Sequence, residues 1–289
     1  MFNAMSRAEI WLQDTLDQAL SIEDLANHLG YSASQVRRQF RQCFNTSPSG
    51  YREQRRLERA AVLLSLTSQN IAQIAIRCGY LNHSSFSRAF QRRYQLTPRH
   101  YRQAISGMRH LTAPEQQFTI TIEKSRPRQA VFMRVYEAPE AISGLGSKKH
   151  HANHLSCFEA QLGQATPTIA LPDLLADKVE ALDTSALQNK LRTDIGLYLE
   201  PSTTLENLAL PVAYRRVDSP SQHFAKTCFE HFDQLSDALT STLLTVIPQE
   251  HSFHISGESP RVLWHSDHLE LRVPLLRQTR TEKVLSDAY

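Results

Sequence analysis

The stretch GYSASQVRRQF, Gly30 to Phe40, has a near copy about fifty residues on, where Gly79 to Phe90 reads GYLNHSSFSRAF. Both run on into an aromatic, a hydroxyl residue, Pro and Tyr: first Phe44, Ser47, Pro48 and Tyr51, then Tyr94, Thr97, Pro98 and Tyr101. Each copy is preceded by a helix start. Ser21-Ile22-Glu23-Asp24 fits the capping pattern, and Asn70-Ile71-Ala72-Gln73 stands in the same role. Apolar residues follow at helical spacing, Ile22, Leu25, Ala26 and Leu29 in one copy and Ile71, Ile74, Ala75 and Cys78 in the other. Gly30 and Gly79 then close these helices, because a residue without Cβ enters the left-handed region cheaply. A second helix follows, capped at Ser32 or Asn82, with Val36 and Phe40 or Phe86 and Phe90 turned inward.

Helix, Gly-containing turn, helix is the helix-turn-helix arrangement, whose second helix enters the DNA major groove. The outward face of the first recognition helix carries Ser34, Arg37, Arg38 and Arg41; that of the second carries His83, Ser84, Ser87, Arg88 and Gln91. Short polar residues and arginines of this kind suit base edges and flanking phosphates. One such pattern is imitated by any helical hairpin with a Gly turn, and a small helical interaction domain is the alternative reading. Two patterns in register favour DNA.

Between the copies, Tyr51 to Thr67 reads as an amphipathic helix with Leu57, Ala60, Ala61 and Leu64 on its apolar side. Ser47-Pro48 and Thr97-Pro98 each read as an N-cap followed by Pro at the first helical position, and Arg52 and Arg102 beyond them are candidate phosphate contacts. A helix of about 17 residues spans roughly 25 Å. That length could hold two recognition helices near one DNA turn, about 34 Å, apart. One chain would then read two successive major-groove segments and bind as a monomer.

Charge agrees with this placement. Residues 1–110 hold 15 arginines, no lysine and seven acidic residues, a net charge of +8, and the remainder carries −5. Arginine suits bidentate contacts to phosphates and bases. The whole chain, 289 residues with 41% hydrophobic content, is long enough for two domains with real cores. No apolar run approaches the roughly 20 residues a membrane helix needs, and no secretory leader is visible. Cys43, Cys78, Cys157 and Cys228 are widely spaced, which reads as reduced thiols in a cytoplasmic protein.

The second half changes period after a polar linker at 108–117. FTITIEK (118–124), residues 131–135, DIGLYLE (194–200), VAYRRV (212–217), RVLWH (261–265) and LELRVPL (269–275) read as strands. Leu155, Phe158 and Leu162 mark one helix. A longer helix is expected from about Gln222 to Val246, with Phe224, Cys228, Phe232, Leu235, Leu239 and Leu243 as its stripe. The expected architecture is multidomain: an all-α double helix-turn-helix domain over 1–107, an α+β domain over 118–276 built of two strand-helix-strand-strand blocks, and a polar tail at 277–289. His150, His151 and His154 in KKHHANHL include a pair at helical spacing, but Lys148 and Lys149 beside them disfavour a cation, and no metal or cofactor is assigned.

The stretch from about Trp11 to Tyr101, through GYSASQVRRQF and IAIRCGYLNHSSFSRAFQRRYQLTPRHYR, resembles the DNA-binding domain of AraC/XylS transcription regulators. The resemblance implies two homeodomain-like units joined by a rigid helix, with base-reading positions at Ser34, Arg37, Arg38, His83, Ser84, Ser87 and Arg88. Some relatives carry Trp where this chain has Ser34, so the recognised sequence should differ there. More loosely, the acidic half resembles GyrI-like effector-binding domains, on HLELRVPL with Glu270 four residues before Pro274. That likeness implies a carboxylate in an aromatic-lined cleft meeting amphipathic or cationic small molecules. The order of domains resembles activators of stress and multidrug-tolerance genes, with double-stranded DNA and RNA polymerase as partners in the bacterial nucleoid. From the residues alone, Glu270 has two readings: an exposed ion pair with Arg272, or a pocket carboxylate. Two further classes, hydrolysis of electrophiles at Glu270 and alkyl-transfer repair at a reactive cysteine, are weaker. The expectation is a regulator and not an enzyme.

Overall fold

The sequence signals between Phe2 and Gly107 resolve into seven helices, the first of two compact units that divide the chain at Arg109. The structure is a computed structural model describing residues 2–107, 118–137, 165–180, 191–199, 210, 213–247 and 252–277. The helices are α1 (Phe2–Asp14), α2 (Ile22–Leu29), α3 (Ala33–Phe44), α4 (Pro48–Leu66), α5 (Ile71–Arg77), α6 (His83–Tyr94) and α7 (Pro98–Gly107). Capping chemistry sets their starts. Ser21 with Asp24, Ser32 with Gln35 and Asn70 with Gln73 each form a reciprocal box, while Asn82 accepts from the backbone of Ser85. Each cap satisfies N–H groups that a helix start would otherwise leave without partners. Helix α1, which carries no such signal in the sequence, completes the first bundle.

Two cores hang on α4. Met5, Ala8, Leu12, Leu25, Ala26, Val36, Phe40 and Tyr51 form the first, and Leu57, Ala60, Leu63, Leu64, Ile74, Phe86, Phe90 and Tyr101 the main body of the second. Equivalent aromatics lock both recognition helices. Phe40 meets Phe44 and Tyr51 at centroid distances of 4.6 and 5.5 Å, and Phe90 meets Tyr94 and Tyr101 at 4.6 and 5.1 Å. Helices α3 and α6 end alike, at Asn45 and Gln95 in the left-handed region.

The second unit is built on a nine-stranded antiparallel sheet. Its strands are β1 (Ile120–Lys124), β2 (Arg128–Glu137), β3 (Ala165–Ala170), β4 (Leu191–Leu199), β5 (Tyr214–Ser219), β6 (His223–Phe229), β7 (Phe253–Ile255), β8 (Arg261–Trp264) and β9 (Leu269–Arg277). Two helices accompany them, α8 (Leu174–Glu180) and α9 (Leu235–Val246). Strand order is β1-β6-β9-β8-β3-β4-β2-β5, with β7 on β9. The triplets β6-β9-β8 and β2-β4-β3 are two strand blocks, each with its last strand in the middle, joined where Thr168 faces Leu263.

The long helix expected from Gln222 is corrected by this sheet. Residues 223–229 form β6, and the helix proper begins only at Leu235, after a short 3-10 turn at Phe232–Gln234. Phe224, Cys228, Phe232 and Leu235 recur every three or four residues and imitate a helical stripe. The pattern that governs is the alternation Ala225, Thr227 and Phe229 facing α9, where the hydroxyls of Thr227 and Thr242 meet at 2.6 Å. Strands β3 and β7 are also additions to the sequence reading. The stretch with Leu155, Phe158 and Leu162, the histidines of KKHHANHL, Cys157, the linker and the polar tail beyond Arg277 lie outside the described residues.

One carboxylate anchors the first block. Asp194 on β4 takes both arms of Arg134, at 2.8 and 2.9 Å, and a further pair from Arg215. Burial alone would raise its pKa, but the two guanidiniums outweigh burial and hold the carboxyl well below the ordinary range.

Gly30 and Gly79 occupy the same turn position at φ 74° and 77°, yet their surroundings differ. A Cβ at Gly30 would meet nothing within 4 Å, whereas one at Gly79 would lie 2.4 Å from the Leu16 carbonyl oxygen and 2.6 Å from the Arg56 guanidinium. Gly30→Ala should therefore cost only the left-handed penalty, about 1–2 kcal/mol. Gly79→Ala should cost on the order of 3 kcal/mol or more, since backbone must also shift. Urea unfolding followed by helical circular dichroism checks the ranking; equal losses would refute it.

Candidate functional site

The outward faces of α3 and α6 emerge from how their inward faces are held. With Val36 and Phe40 buried, Ser34, Arg37, Arg38 and Arg41 are all exposed. With Phe86, Ala89 and Phe90 buried, His83, Ser84, Arg88 and Gln91 are exposed, and Ser87 is half-buried, 3.5 Å from an imidazole nitrogen of His83. Arg37 pairs with Glu23 of α2 at 3.3 Å, so its guanidinium is parked beside the preceding helix. Arg88 donates to the Ser84 carbonyl at 3.3 Å. Exposed Arg92, paired with Glu53 of α4 at 3.0 Å, and Arg93 extend the basic face of α6. The sequence reading did not name these two. The turns themselves differ: Gly79 stands one residue further from Phe86 than Gly30 does from Val36, and the additional residue brings Leu81, 90% exposed, to the surface.

Arg52 and Arg102 sit elsewhere than expected. Arg52 donates through Nη1 to the Leu20 carbonyl and lies 5.4 Å from the Trp11 ring centroid. Arg102 donates through Nη2 to the Gln69 carbonyl at 2.6 Å and through Nε to Leu64 at 3.3 Å. Leu20 and Gln69 directly precede the caps Ser21 and Asn70. Each arginine thus staples the chain entering its helix-turn-helix unit, and both are committed inward to backbone oxygens instead of outward to phosphates. Burial, and then the neighbouring Arg56, push Arg52 down from the usual guanidinium range. Arg56 repeats the device, donating to Leu16 at 2.6 Å and Gln18 at 2.9 Å. Spacing alone could not separate a staple from an anchor, because both follow the same Pro-opened turn.

The family of relatives now follows from the sequence of this unit. A helix-turn-helix domain family model matches residues 25–104. The regulatory protein SoxS of Escherichia coli K12 is 38% identical over 95 residues, which cover 89% of SoxS and 33% of this chain. The chain belongs to the AraC/XylS family. The transcriptional regulator Rob of Salmonella typhimurium is 35% identical over 124 residues, 39% of this chain and 43% of Rob, so the match spans less than half of that protein's own length. Among solved structures, an AraC-type regulator from Chromobacterium violaceum is similar at 33% identity and a TM-score of 0.34, over 36% of this chain and 92% of that one. This AraC/XylS regulator therefore carries a DNA-binding helical unit followed by a large antiparallel sheet. Among the described residues, no helix is long and apolar enough to cross a membrane.

In the sheet unit, Glu270 meets neither of its two sequence readings. It does pair with Arg272, but it is only 4% exposed. Nor does it line the cleft on the sheet face opposite α9, which is walled by Arg128, Arg261, Arg272, Tyr198, Phe224 and Ser219 among others. Arg128 and Arg261 flank the Tyr198 ring at 5.4 and 5.6 Å, and Arg272 lies 4.6 Å from the Phe224 centroid. The Nε atoms of Arg128 and Arg261 are buried without an acceptor, and among the described residues no acidic one lines the cleft. An aromatic-lined cleft is present, but its charge is the reverse of the one expected. Cys78 is buried in the second helical core, and burial pushes its thiol up to about 12, which suits packing and not alkyl transfer.

The two arginine classes are separable. Arg38→Ala and Arg88→Ala should each weaken binding to the specific site by about 1–3 kcal/mol and relax base preference. Arg52→Ala and Arg102→Ala should instead lower thermal stability, each by about 1–3 kcal/mol for the lost carbonyl contacts. Their salt dependence of DNA binding should stay as in the parent. A salt slope reduced by about one unit at unchanged melting temperature would return Arg52 or Arg102 to the phosphate-contact class.

Proposed function

We propose that this regulator is a transcription activator that reads two successive major-groove segments as a monomer, with Ser34, Arg37, Arg38 and Arg41 on one segment and His83, Ser84, Ser87, Arg88 and Gln91 on the next. The observation that carries the reading is the duplicated lock. Two recognition helices in one chain are capped, closed and held by residues at equivalent positions and the same spacing, and both present arginines outward. Helix α4, 19 residues long, spans about 28 Å and joins them as a strut. The resemblance read in the sequence supports contact with RNA polymerase and a place in stress or drug-tolerance control. It also supports a non-catalytic, GyrI-like sheet unit over about residues 118–276. Footprinting combined with sedimentation on a defined duplex tests the monomer reading. The expected result is one chain on an asymmetric site of about 20 bp; an obligate dimer on a palindrome would overturn it.

For the sheet unit, the arginine-lined cleft supports an effector with an apolar body and an anionic head in place of the cationic one expected from Glu270. Aromatic walls would hold the body, and Arg128 and Arg261 would neutralise the head. An alkyl sulfate should raise the melting temperature of the full-length protein, by an amount equivalent to about 2.7 kcal/mol at 100 times its Kd. An alkylammonium of equal chain length should not, and Arg261→Gln should abolish the response. A cation-selective response would sink the anionic assignment.

A further inference from the structure

Cys228 and Glu270 are 42 residues apart in sequence but stand directly opposite each other in the β6–β9 ladder. The β8–β9 hairpin folds His265 and His268 over them, with rings stacked at 4.6 Å. One donor atom each from Cys228, His268 and Glu270 lie within 4.8 Å of one another. His265 adds a fourth: its Nε2 is 3.3 Å from Glu270 Oε2, buried, and without a hydrogen-bond partner. We propose that Cys228, His265, His268 and Glu270 form a binding site for a divalent transition metal of borderline softness, with zinc as the type.

Donor chemistry selects this class of ion. One thiolate, two imidazoles and one carboxylate oxygen make a mixed set that suits zinc and its neighbours and is wrong for calcium or magnesium. Metal–ligand bonds of about 2.0–2.3 Å place tetrahedral ligands about 3.5 Å apart. The His265–Glu270 edge already has that length, at 3.3 Å, and the edges among Cys228, His268 and Glu270 are no longer than 4.8 Å. The surroundings resemble a supporting shell. Asp267 accepts from His268 Nδ1 at 2.8 Å, which leaves the lone pair on Nε2 for the metal. Arg272 occupies Glu270 Oε1 and leaves Oε2 toward His265. Lys226 is drawn to Glu123 at 3.0 Å and stands 3.9 Å from Oε2, so its charge is shared between two carboxylates.

The fold does not require polar groups here. The place related to Glu270 through the Thr168–Leu263 junction is Gly196, and the place related to Cys228 is Phe132, whose ring covers Gly196. One block fills this position with an aromatic over glycine. The other installs four residues of metal-ligand type.

The test uses the reduced full-length protein, stripped by chelator and titrated with Co²⁺. Expected are one equivalent bound, intense tetrahedral ligand-field bands with a thiolate-to-cobalt charge-transfer band, and displacement by Zn²⁺. Cys228→Ser should lose the charge-transfer band, and Cys228→Ser and His268→Ala should each weaken binding about 10-fold or more. His151→Ala should change neither. Zinc should also shield Cys228 from alkylation. If His268→Ala fails to fold, Cys228→Ser, at an exposed position, carries the test alone. A wild-type titration without the thiolate band, or a band retained in Cys228→Ser, would overturn the proposal.

Discussion

The lock of Phe40 on Phe44 and Tyr51, repeated by Phe90 on Tyr94 and Tyr101, governs where each recognition helix points. Tilted and edge-on rings at these separations gain from both burial and quadrupole orientation, so each triad favours one arrangement. Tyr51 extends the first lock across the bundle: its hydroxyl donates to buried Glu9 at 2.6 Å and accepts from Gln13 at 2.7 Å, both on α1. The arginine staples hold the incoming chain, to α4 through Arg52 and Arg56 in the first unit and to α7 through Arg102 in the second. Aromatics behind and guanidiniums in front leave the outward arginines as the groups able to reorganise on DNA.

A similar economy shapes the sheet. Two strand blocks meet at Thr168 and Leu263, and the outer face is divided by chemistry. Asp194 with Arg134 and Arg215 lies in one block, Glu270 with Arg272 in the other, and the cleft with Tyr198 and Phe224 lies between. Each carboxylate is neutralised by its own arginine. Of the cleft arginines, Arg272 is taken by Glu270, while Arg128 and Arg261 meet no carboxylate among the described residues.

The helical unit was legible because its signals are local. Caps at Ser21, Ser32, Asn70 and Asn82, the two glycines and the 3.6-residue period each act within a few residues, and all stand where the sequence places them. The sheet was less legible because its information is distant. Strand β6 was taken for helix since two aromatics and a cysteine fell at helical intervals. The partners that decide its alternation, β1 and β9, lie about a hundred residues before it and nearly fifty after it. The same distance hid the meeting of Cys228 with Glu270. The carbonyl contacts of Arg52 and Arg102 were hidden for another reason: a guanidinium's reach covers both its own backbone and a phosphate, and only the fold shows which backbone oxygens lie within it.

Helix α4 gives its first turns to one core through Tyr51 and its later turns to the other through Leu57, Ala60, Ala61 and Leu64. Both reading heads are therefore geared to a single shaft. Each added residue on such a shaft turns one head by about 100° and advances it about 1.5 Å relative to the other. Substitutions along the solvent side of α4 leave the gearing intact, whereas a one-residue insertion anywhere between Tyr51 and Leu57 throws the heads out of phase with the DNA duplex. The length of this helix is thus a fixed quantity of the unit, while its solvent-side residues are free to vary.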